Sequence, residues 1–253
     1  PIYKRHYQNT VAQAEAAGDS KRVPELYEEI HELRLYRADG MEMIRSHKLQ
    51  NGEVGLCLAN ISVTVFKQRK AEPGFVIAAH NKADDGGESL FAASGRLRPK
   101  DMLVVGTGYL NGEDASSRGR LLMFEVSRQE SYTENGGTYT AFQMQLISEK
   151  TCTGPVTAVA ALEGYVVCGV GPQVHVYKLV GDEIVHLSFA FAQLYITSIA
   201  SLKQYITIVD MFKSIEFMYW RERNNSVNFL AKDYEHLEAY ATEIGRASCR
   251  ERV

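Results

Sequence analysis

Residues 156–167 read VTAVAALEGYVV, and residues 196–207 read ITSIASLKQYIT. Every aligned pair differs by 40 in residue number, and a threonine, a leucine and a tyrosine recur in register. Valine, isoleucine and tyrosine suit a pleated, half-buried surface, and Glu163-Gly164 in the middle is typical of a turn. The stretch therefore predicts two β-strands joined by a tight turn, and the chain contains it twice.

The repetition continues beyond this pair of strands, so that residues 154–190 as a whole resemble residues 191–231. After a shift of two residues, two further apolar runs complete each copy: VHVY at 174–177 and IVHL at 184–187, then EFMY at 216–219 and VNFL at 227–230. A repeat of roughly 40–45 residues with four antiparallel strands is the signature of a β-propeller blade. An antiparallel sandwich also spaces its strands by about 8–12 residues, but the constant offset favours the propeller.

The rest of the chain divides where the pattern changes. Residues 1–36 have apolar positions near helical spacing, which predicts either a short helix around 24–34 or a loop between blades. Residues 37–153 contain strand-like runs and a charged insertion at about 67–100, and we expect at least one further blade there. Residues 232–243 would begin the next element. The sequence thus predicts an all-β, partial β-propeller of four-stranded antiparallel, WD40-like blades, with a short N-terminal helical or irregular segment.

Both ends of the chain resemble cuts. The last ten residues, 244–253, read IGRASCRERV, which is similar to a translated sequencing adapter, and we exclude them from fold reasoning as a probable artefact. The chain begins at Pro1 without a signal-peptide pattern, and it has no apolar run of transmembrane length. We therefore expect an internal piece of a longer protein.

Composition describes an ordinary globular chain, with 45% hydrophobic and 23% charged residues. The 28 basic and 31 acidic residues give a net charge of −3, and leaving out the last ten residues makes it about −5, because 25 basic then stand against 30 acidic residues. Such a balance is not typical of a nucleic-acid-binding protein. Cys57, Cys152 and Cys168 are odd in number and widely spaced, which indicates a reducing compartment without a disulfide framework or a zinc site.

Motifs that would indicate catalysis are missing. The sequence has no G-x-x-x-x-G-K-[ST], G-x-S-x-G or H-E-x-x-H. The string GTG at 106–108 begins like a dinucleotide fingerprint, but its third glycine, Gly112, comes one residue late and no helix start follows. The seven histidines are scattered, and His175 and His186 lie in strand patterns, so we expect structural or surface roles. The sequence predicts no catalytic, cofactor-binding or metal-binding residue and no small-molecule substrate.

Four strings resemble one family once the blades are recognised. They are VVGTG at 104–108, RGRLLMF at 118–124, GPVTA at 154–158 and DMFKS at 210–214. Together they are similar to the carboxy-terminal propeller region of a family of large scaffolds with three propellers. Its members include the large subunit of the cleavage and polyadenylation specificity factor, the large damaged-DNA-binding protein of ubiquitin ligation and the third subunit of splicing factor 3b. The first of these resembles the chain most.

The resemblance implies a nuclear, non-catalytic scaffold that organises protein partners around the polyadenylation signal. Its partners would be other subunits of a multiprotein complex, while the acidic balance makes any contact with pre-mRNA mostly indirect; no membrane is implied. The matching residues have architectural explanations, since glycines allow close approach and short oxygens fix turns. These residues are Gly106, Gly108, Arg118, Gly119, Arg120, Gly154, Pro155, Asp210 and Ser214.

Two other functions stay open at this point. The sister families imply a scaffold in DNA repair and ubiquitin ligation, or in splicing. A propeller enzyme would require histidines and carboxylates that converge at the inner ends of several blades. The inner-strand candidates at 156–161 and 196–202 are apolar or small, which weakens the enzyme hypothesis.

Overall fold

The chain folds into β-sheet. The computed structural model describes residues 2–6, 26–67, 96–109, 117–132, 138–211, 214–232 and 239–244. Within these ranges the regular structure consists of strands, apart from one 3-10 turn at Glu222–Asn224. The predicted all-β, partial propeller is therefore confirmed, with four-stranded antiparallel blades as its units.

Two hairpins come before the blades. Strand β1 (Ile2–His6) pairs with β2 (Leu26–Ile30), and β3 (Glu32–Tyr36) pairs with β4 (Met43–Lys48), both antiparallel. The short helix predicted around 24–34 is thus wrong for the described residues, because these lie in β2 and β3. Leu33 packs on a buried cluster of the first blade, and this tertiary contact outweighs a weak helical spacing.

Three blades follow, named A, B and C in chain order. Blade A contains β5 (Glu53–Phe66), β6 (Arg96–Tyr109), β7 (Gly119–Tyr132) and β8 (Thr138–Cys152). Blade B contains β9 (Val156–Leu162), β10 (Tyr165–Val170), β11 (Gln173–Val180) and β12 (Glu183–Phe191). Blade C contains β13 (Ile196–Leu202), β14 (Tyr205–Asp210), β15 (Ser214–Arg221) and β16 (Ser226–Lys232). Each blade pairs its strands in sequence order, so blades B and C are the two repeats.

Parts of the predicted organisation fall outside the described residues. Residues 68–95 of the expected insertion lie there, whereas residues 96–100 belong to β6. Residues 233–238 and 245–253 lie there as well, including nearly all of the adapter-like end.

The apolar core lies between successive blades. Strand β10 is buried along its whole length, and Val167 from it shares one cluster with Ile206, Ile208 and Trp220 of blade C. Burial of such side chains stabilises by about 1.5–3 kcal/mol each. A blade therefore depends on its neighbour for stability.

Blades A and B are also joined through one strand. The end of β5 pairs in parallel with β11, at Leu179 with Val65 and Val180 with Phe66. The Phe66 ring stacks on Tyr165 at 5.8 Å between centroids. This link fuses the two blades into one eight-stranded sheet, which the repeat pattern did not predict.

Turns repeat as faithfully as strands. Glu163 (φ 47°) and Lys203 (φ 54°) occupy the same position in the first hairpin of blades B and C, and both adopt the left-handed conformation. Gly164 and Gly181 also have positive φ, at hairpins where the sequence predicted turns.

Candidate functional site at the seam between blades

Most of the residues that carry the family resemblance gather where blade A meets blade B. Gly106 lies in β6, Gly119 begins β7, and Gly154 with Pro155 leads into β9. A Cβ on Gly106 would lie 2.6 Å from the Val156 carbonyl oxygen, and one on Gly119 would lie 2.8 Å from the Gly154 carbonyl oxygen and 2.2 Å from that of Thr107 in its own blade. Only glycine allows these backbones to approach so closely.

The other two glycines line the same seam. A Cβ on Gly108 would lie 3.0 Å from the Pro155 Cβ, and one on Gly154 would lie 3.3 Å from Val170. Blade C meets blade B in a similar way, since a Cβ on Gly169 would lie 2.7 Å from Ile196. At both seams, a glycine in the second strand of one blade therefore packs against the first residue of the inner strand of the next blade.

A buried ion pair lies within blade A, next to the seam. Arg120 donates from Nε to Glu53 Oε1 at 2.8 Å and from a terminal nitrogen to Glu53 Oε2 at 2.5 Å, and the side chain of Glu53 is fully buried. The Thr107 hydroxyl donates to the same carboxylate at 2.6 Å, and the Gln50 backbone N–H donates at 2.7 Å. The second terminal nitrogen of Arg120 reaches Glu149 at 2.6 Å.

These contacts keep both groups charged. Burial by itself would raise the pKa of Glu53, but the hydrogen bonds from Arg120, Thr107 and Gln50 outweigh it and lower the pKa. The hydrogen bond to Glu53 raises the pKa of Arg120. A bidentate pair with every acceptor occupied holds position and has no proton to exchange near neutral pH. The sequence singled out Arg120 but missed Glu53, because 67 residues separate them.

The remaining signature residues lie elsewhere. Arg118 is exposed just before β7, and its backbone oxygen accepts from the Tyr109 N–H at 2.9 Å. Asp210 is fully buried at the end of β14, and its carboxylate accepts from the backbone N–H groups of Leu194 and Tyr195 at 2.5 and 2.9 Å. Asp210 thus holds the linker into blade C, and Ser214 is its cross-strand neighbour.

A threonine bridge repeats between blades. The Thr157 hydroxyl lies 3.4 Å from the Gly169 carbonyl of its own blade and 2.5 Å from the Ile196 carbonyl of the next. Thr197 occupies the equivalent position and contacts the carbonyls of Val209 at 3.3 Å and Ala239 at 3.4 Å. The recurrence of threonine at an offset of 40 was visible in the sequence, but its reach across the seam was not.

The site offers little for catalysis. Burial raises the pKa of Cys57 to about 12, and burial raises the pKa of Cys152 and Cys168 too, so these thiols stay protonated and unreactive. Among the described residues, no three His, Cys, Asp or Glu side chains cluster in a way that could hold a metal ion. A hollow of about 310 Å³ beside blade A contains His31, Glu32 and Cys57, but its walls are otherwise mainly leucine. No helix within the described ranges is long and apolar enough to cross a membrane.

Comparison with known proteins identifies the family. The protein-family model described as the CPSF A subunit region matches residues 31–248 of this chain, which include all three blades and the seam. The chain belongs to the CPSF A subunit family. The resemblance deduced from the four strings is thereby confirmed.

Several curated members of the CPSF A subunit family are similar to this chain. Probable cleavage and polyadenylation specificity factor subunit 1 of Oryza sativa subsp. japonica is 33% identical over 146 residues, and subunit 1 of Arabidopsis thaliana is 34% identical over 144. Subunit 1 of Drosophila melanogaster is 28% identical over 145 residues. These matches cover 56–57% of this chain but only 9–10% of each relative, so the chain spans about a tenth of their length.

Proposed function

We propose that this chain is part of a non-catalytic scaffold subunit of the machinery that cleaves and polyadenylates pre-mRNA 3′ ends in the nucleus. Its role is to organise protein partners around the polyadenylation signal. The membership of the CPSF A subunit family over residues 31–248 supports the pathway. The names of its relatives indicate the process, and the packing of the blades supports the scaffold role.

The seam between blades A and B is the observation that carries the scaffold role. Its parts are the close contacts of Gly106 with Val156 and of Gly119 with Gly154, and next to them a buried bidentate pair between Glu53 and Arg120 joins two strands of blade A. The glycine contacts hold neighbouring blades in one orientation, since close packing leaves no room for sliding, while the ion pair keeps the strands of blade A in register at that edge. Rigid strands of this kind position loops for recognition by other proteins.

The chemical character of the same region supports a role without catalysis. The Glu53 carboxylate accepts hydrogen bonds from Arg120, Thr107 and Gln50, and its pKa is lowered, whereas a general acid or base requires a proton that it can exchange near working pH. The cysteine thiols are buried and protonated. The net charge of −3 favours protein partners over direct binding of the RNA backbone.

Affinity purification tests this proposal. The longer protein that contains this chain is tagged and recovered from nuclear extract as wild type, as Gly119→Val and as Gly55→Ala, and the co-purifying proteins are identified by mass spectrometry. Gly119→Val places methyl groups against the Thr107 carbonyl and against the Gly154 carbonyl that leads into blade B, and so opens the seam. Gly55→Ala is the matched control, because the nearest atom to its new Cβ lies 3.9 Å away.

We expect polyadenylation factors with the wild type and the control, and a marked reduction of at least some of them with Gly119→Val. Recovery of cullin components or of splicing factor 3b in their place would assign the chain to a sister scaffold. Recovery of no stable partner by the wild type would contradict the scaffold itself. Nuclear residence is checked in the same cells by imaging the tagged protein.

A further inference from the structure

Two histidine rings meet on the outer hairpin of blade B. His175 lies in β11 and His186 in β12, and the hairpin between them brings the Nδ1 atom of His175 to 3.0 Å from the Nε2 atom of His186. A register shift at Val176 and Tyr177 allows both rings to point to the same face. The two histidines lie 11 positions apart in the chain, a spacing that does not by itself indicate a ligand pair.

The hydrogen bonds of each ring decide which nitrogens carry protons. Nε2 of His175 lies 2.9 Å from the Gln173 side-chain oxygen, which can only accept, so this nitrogen is protonated and Nδ1 holds a lone pair. The 3.0 Å contact is itself a hydrogen bond, so in the metal-free chain Nε2 of His186 carries the proton that Nδ1 of His175 accepts. The other tautomer of His186 carries its proton on Nδ1 and frees a lone pair on Nε2.

A metal ion that selects this tautomer meets two lone pairs turned towards the same small space. The Gln173 oxygen behind His175 fixes the tautomer and orientation of that ring, and such outer partners are typical of metal-ligating histidines. We propose that His175 and His186 form a two-imidazole site for a divalent transition metal ion of the copper and zinc group. Imidazole nitrogen suits these ions, whereas calcium and magnesium prefer oxygen.

The distance between the nitrogens favours copper. A metal ion about 2.1 Å from each nitrogen, the usual length for zinc and imidazole, would subtend an angle of about 90° across the 3.0 Å gap. That angle fits neighbouring positions of a tetragonal Cu²⁺ site better than a tetrahedral Zn²⁺ site. The protein supplies two ligands, and water fills the other positions, because the described residues include no cluster of three ligand side chains.

The surroundings hold the rings in place and leave one side open. The Tyr177 and Phe189 rings each stack on His175, both at 5.9 Å between centroids, while the His186 side chain is exposed. Burial lowers the pKa of His175 to about 4, and burial followed by the charge of Lys150 lowers the pKa of His186, so both rings are neutral ligands at pH 7. Lys150 is the positive charge near the site and would repel a bound cation. The carboxylates of Asp182 and Glu183 lie at the far end of the hairpin.

Copper binding to the purified chain, freed of any histidine tag, tests the site. Cu²⁺ is titrated in the presence of a weak competing chelator, and electron paramagnetic resonance counts the coordinated nitrogens. We expect one high-affinity Cu²⁺ with two imidazole nitrogens, and weaker binding of Zn²⁺ at the same residues. His175→Gln and His186→Gln should each abolish this signal, while His31→Gln is the matched control and should leave it unchanged.

Two further variants separate a built site from adventitious binding. Gln173→Met removes the acceptor behind His175 and should weaken Cu²⁺ binding about 10- to 100-fold, and Gln173→Glu should restore it. Lys150→Gln should tighten binding by removing a repelling charge. Circular dichroism confirms that each variant is folded. The proposal would be overturned if His175→Gln and His186→Gln bound copper as tightly as the wild type. It would also be overturned if the two rings shared a proton and bound no metal.

Discussion

At the scale of single residues, the Glu53–Arg120 pair shows how a buried charge is tolerated. Each carboxylate oxygen of Glu53 accepts from Arg120, and Thr107 and Gln50 supply further donors. Such a pair stabilises the fold little more than apolar residues of similar volume would. Removal of one partner, however, leaves the other charge buried and uncompensated.

Arg120→Met tests that asymmetry. We expect it to lower the free energy of unfolding by about 3–5 kcal/mol, because Glu53 would stay buried without its counter-charge. The double variant Glu53→Leu/Arg120→Met should recover much of this loss. Urea denaturation followed by fluorescence measures both, and a loss below about 1 kcal/mol for Arg120→Met would show that Glu53 is not held as described.

His175 predicts a dependence of stability on pH. Its pKa is lowered by burial to about 4 in the folded chain, from an ordinary value of 6.5. Between these two pH values the unfolded chain binds more protons than the folded chain. The free energy of unfolding therefore has its full value above about pH 6.5 and falls as the pH drops towards 4. His175→Gln should reduce the dependence of the free energy of unfolding on pH in metal-free buffer. A smaller dependence should remain, because the pKa of His186 is lowered too. Equal urea midpoints against pH for the two proteins would refute the prediction.

Gly119 predicts the cost of opening the seam. An added methyl group would lie 2.2 Å from the Thr107 carbonyl and 2.8 Å from that of Gly154, so the strands must separate. Gly119→Ala should destabilise by about 1–3 kcal/mol. Gly55→Ala, which meets nothing closer than 3.9 Å, should instead stabilise by about 0.5–1 kcal/mol. Thermal unfolding of the two variants side by side provides the comparison, and a harmless Gly119→Ala would contradict the close approach.

At the scale of elements, Thr157 ties the inner strand β9 to the inner strand β13, and Thr197 at the same position of β13 reaches the segment that follows blade C. The Thr157 bridge to Ile196 is short at 2.5 Å, whereas the Thr197 bridge to Ala239 measures 3.4 Å. The two positions are equivalent in the repeat, so they form a natural pair for comparison.

Thr157→Val and Thr197→Val keep shape and remove the hydroxyl. We expect Thr157→Val to cost about 1 kcal/mol and Thr197→Val less, since the longer contact contributes less. Amide exchange in strand β13 should also quicken for Thr157→Val, because its blade loses a contact to blade B. Equal free energies of unfolding for the two variants would mean that the bridge from Thr157 to Ile196 stabilises the chain no more than the contact of Thr197 with Ala239.

At the scale of the whole molecule, blade C has one covered face and one that is open only in part. Ile206, Ile208 and Trp220 are buried against blade B, while Tyr205 and Phe217 on the alternate face are 54% and 46% exposed. Apolar faces and strand edges of this kind favour association between chains.

Residues 37–243 expressed alone should therefore self-associate or show only partial protection in amide exchange. Phe217→Glu should reduce the association without loss of the buried cluster, because residue 217 points away from it. Sedimentation velocity over a range of concentrations measures the effect. A monodisperse monomer that melts cooperatively would contradict the dependence of each blade on its neighbour.

What the sequence determined by itself was the local pattern and its repetition. The offset of 40, the alternation of strand residues and the turn at Glu163-Gly164 predicted blades B and C strand by strand, and four short strings predicted the family. Such features depend on neighbours within a few residues, so they can be read along the chain.

Only the tertiary structure decided which distant side chains meet. It placed Glu53 on Arg120 and His175 on His186, and it made strands of residues that a helical spacing had suggested would form a helix. The physical reason is that hydrogen bonds, ion pairs and packing across strands depend on register and blade stacking, which no local periodicity specifies.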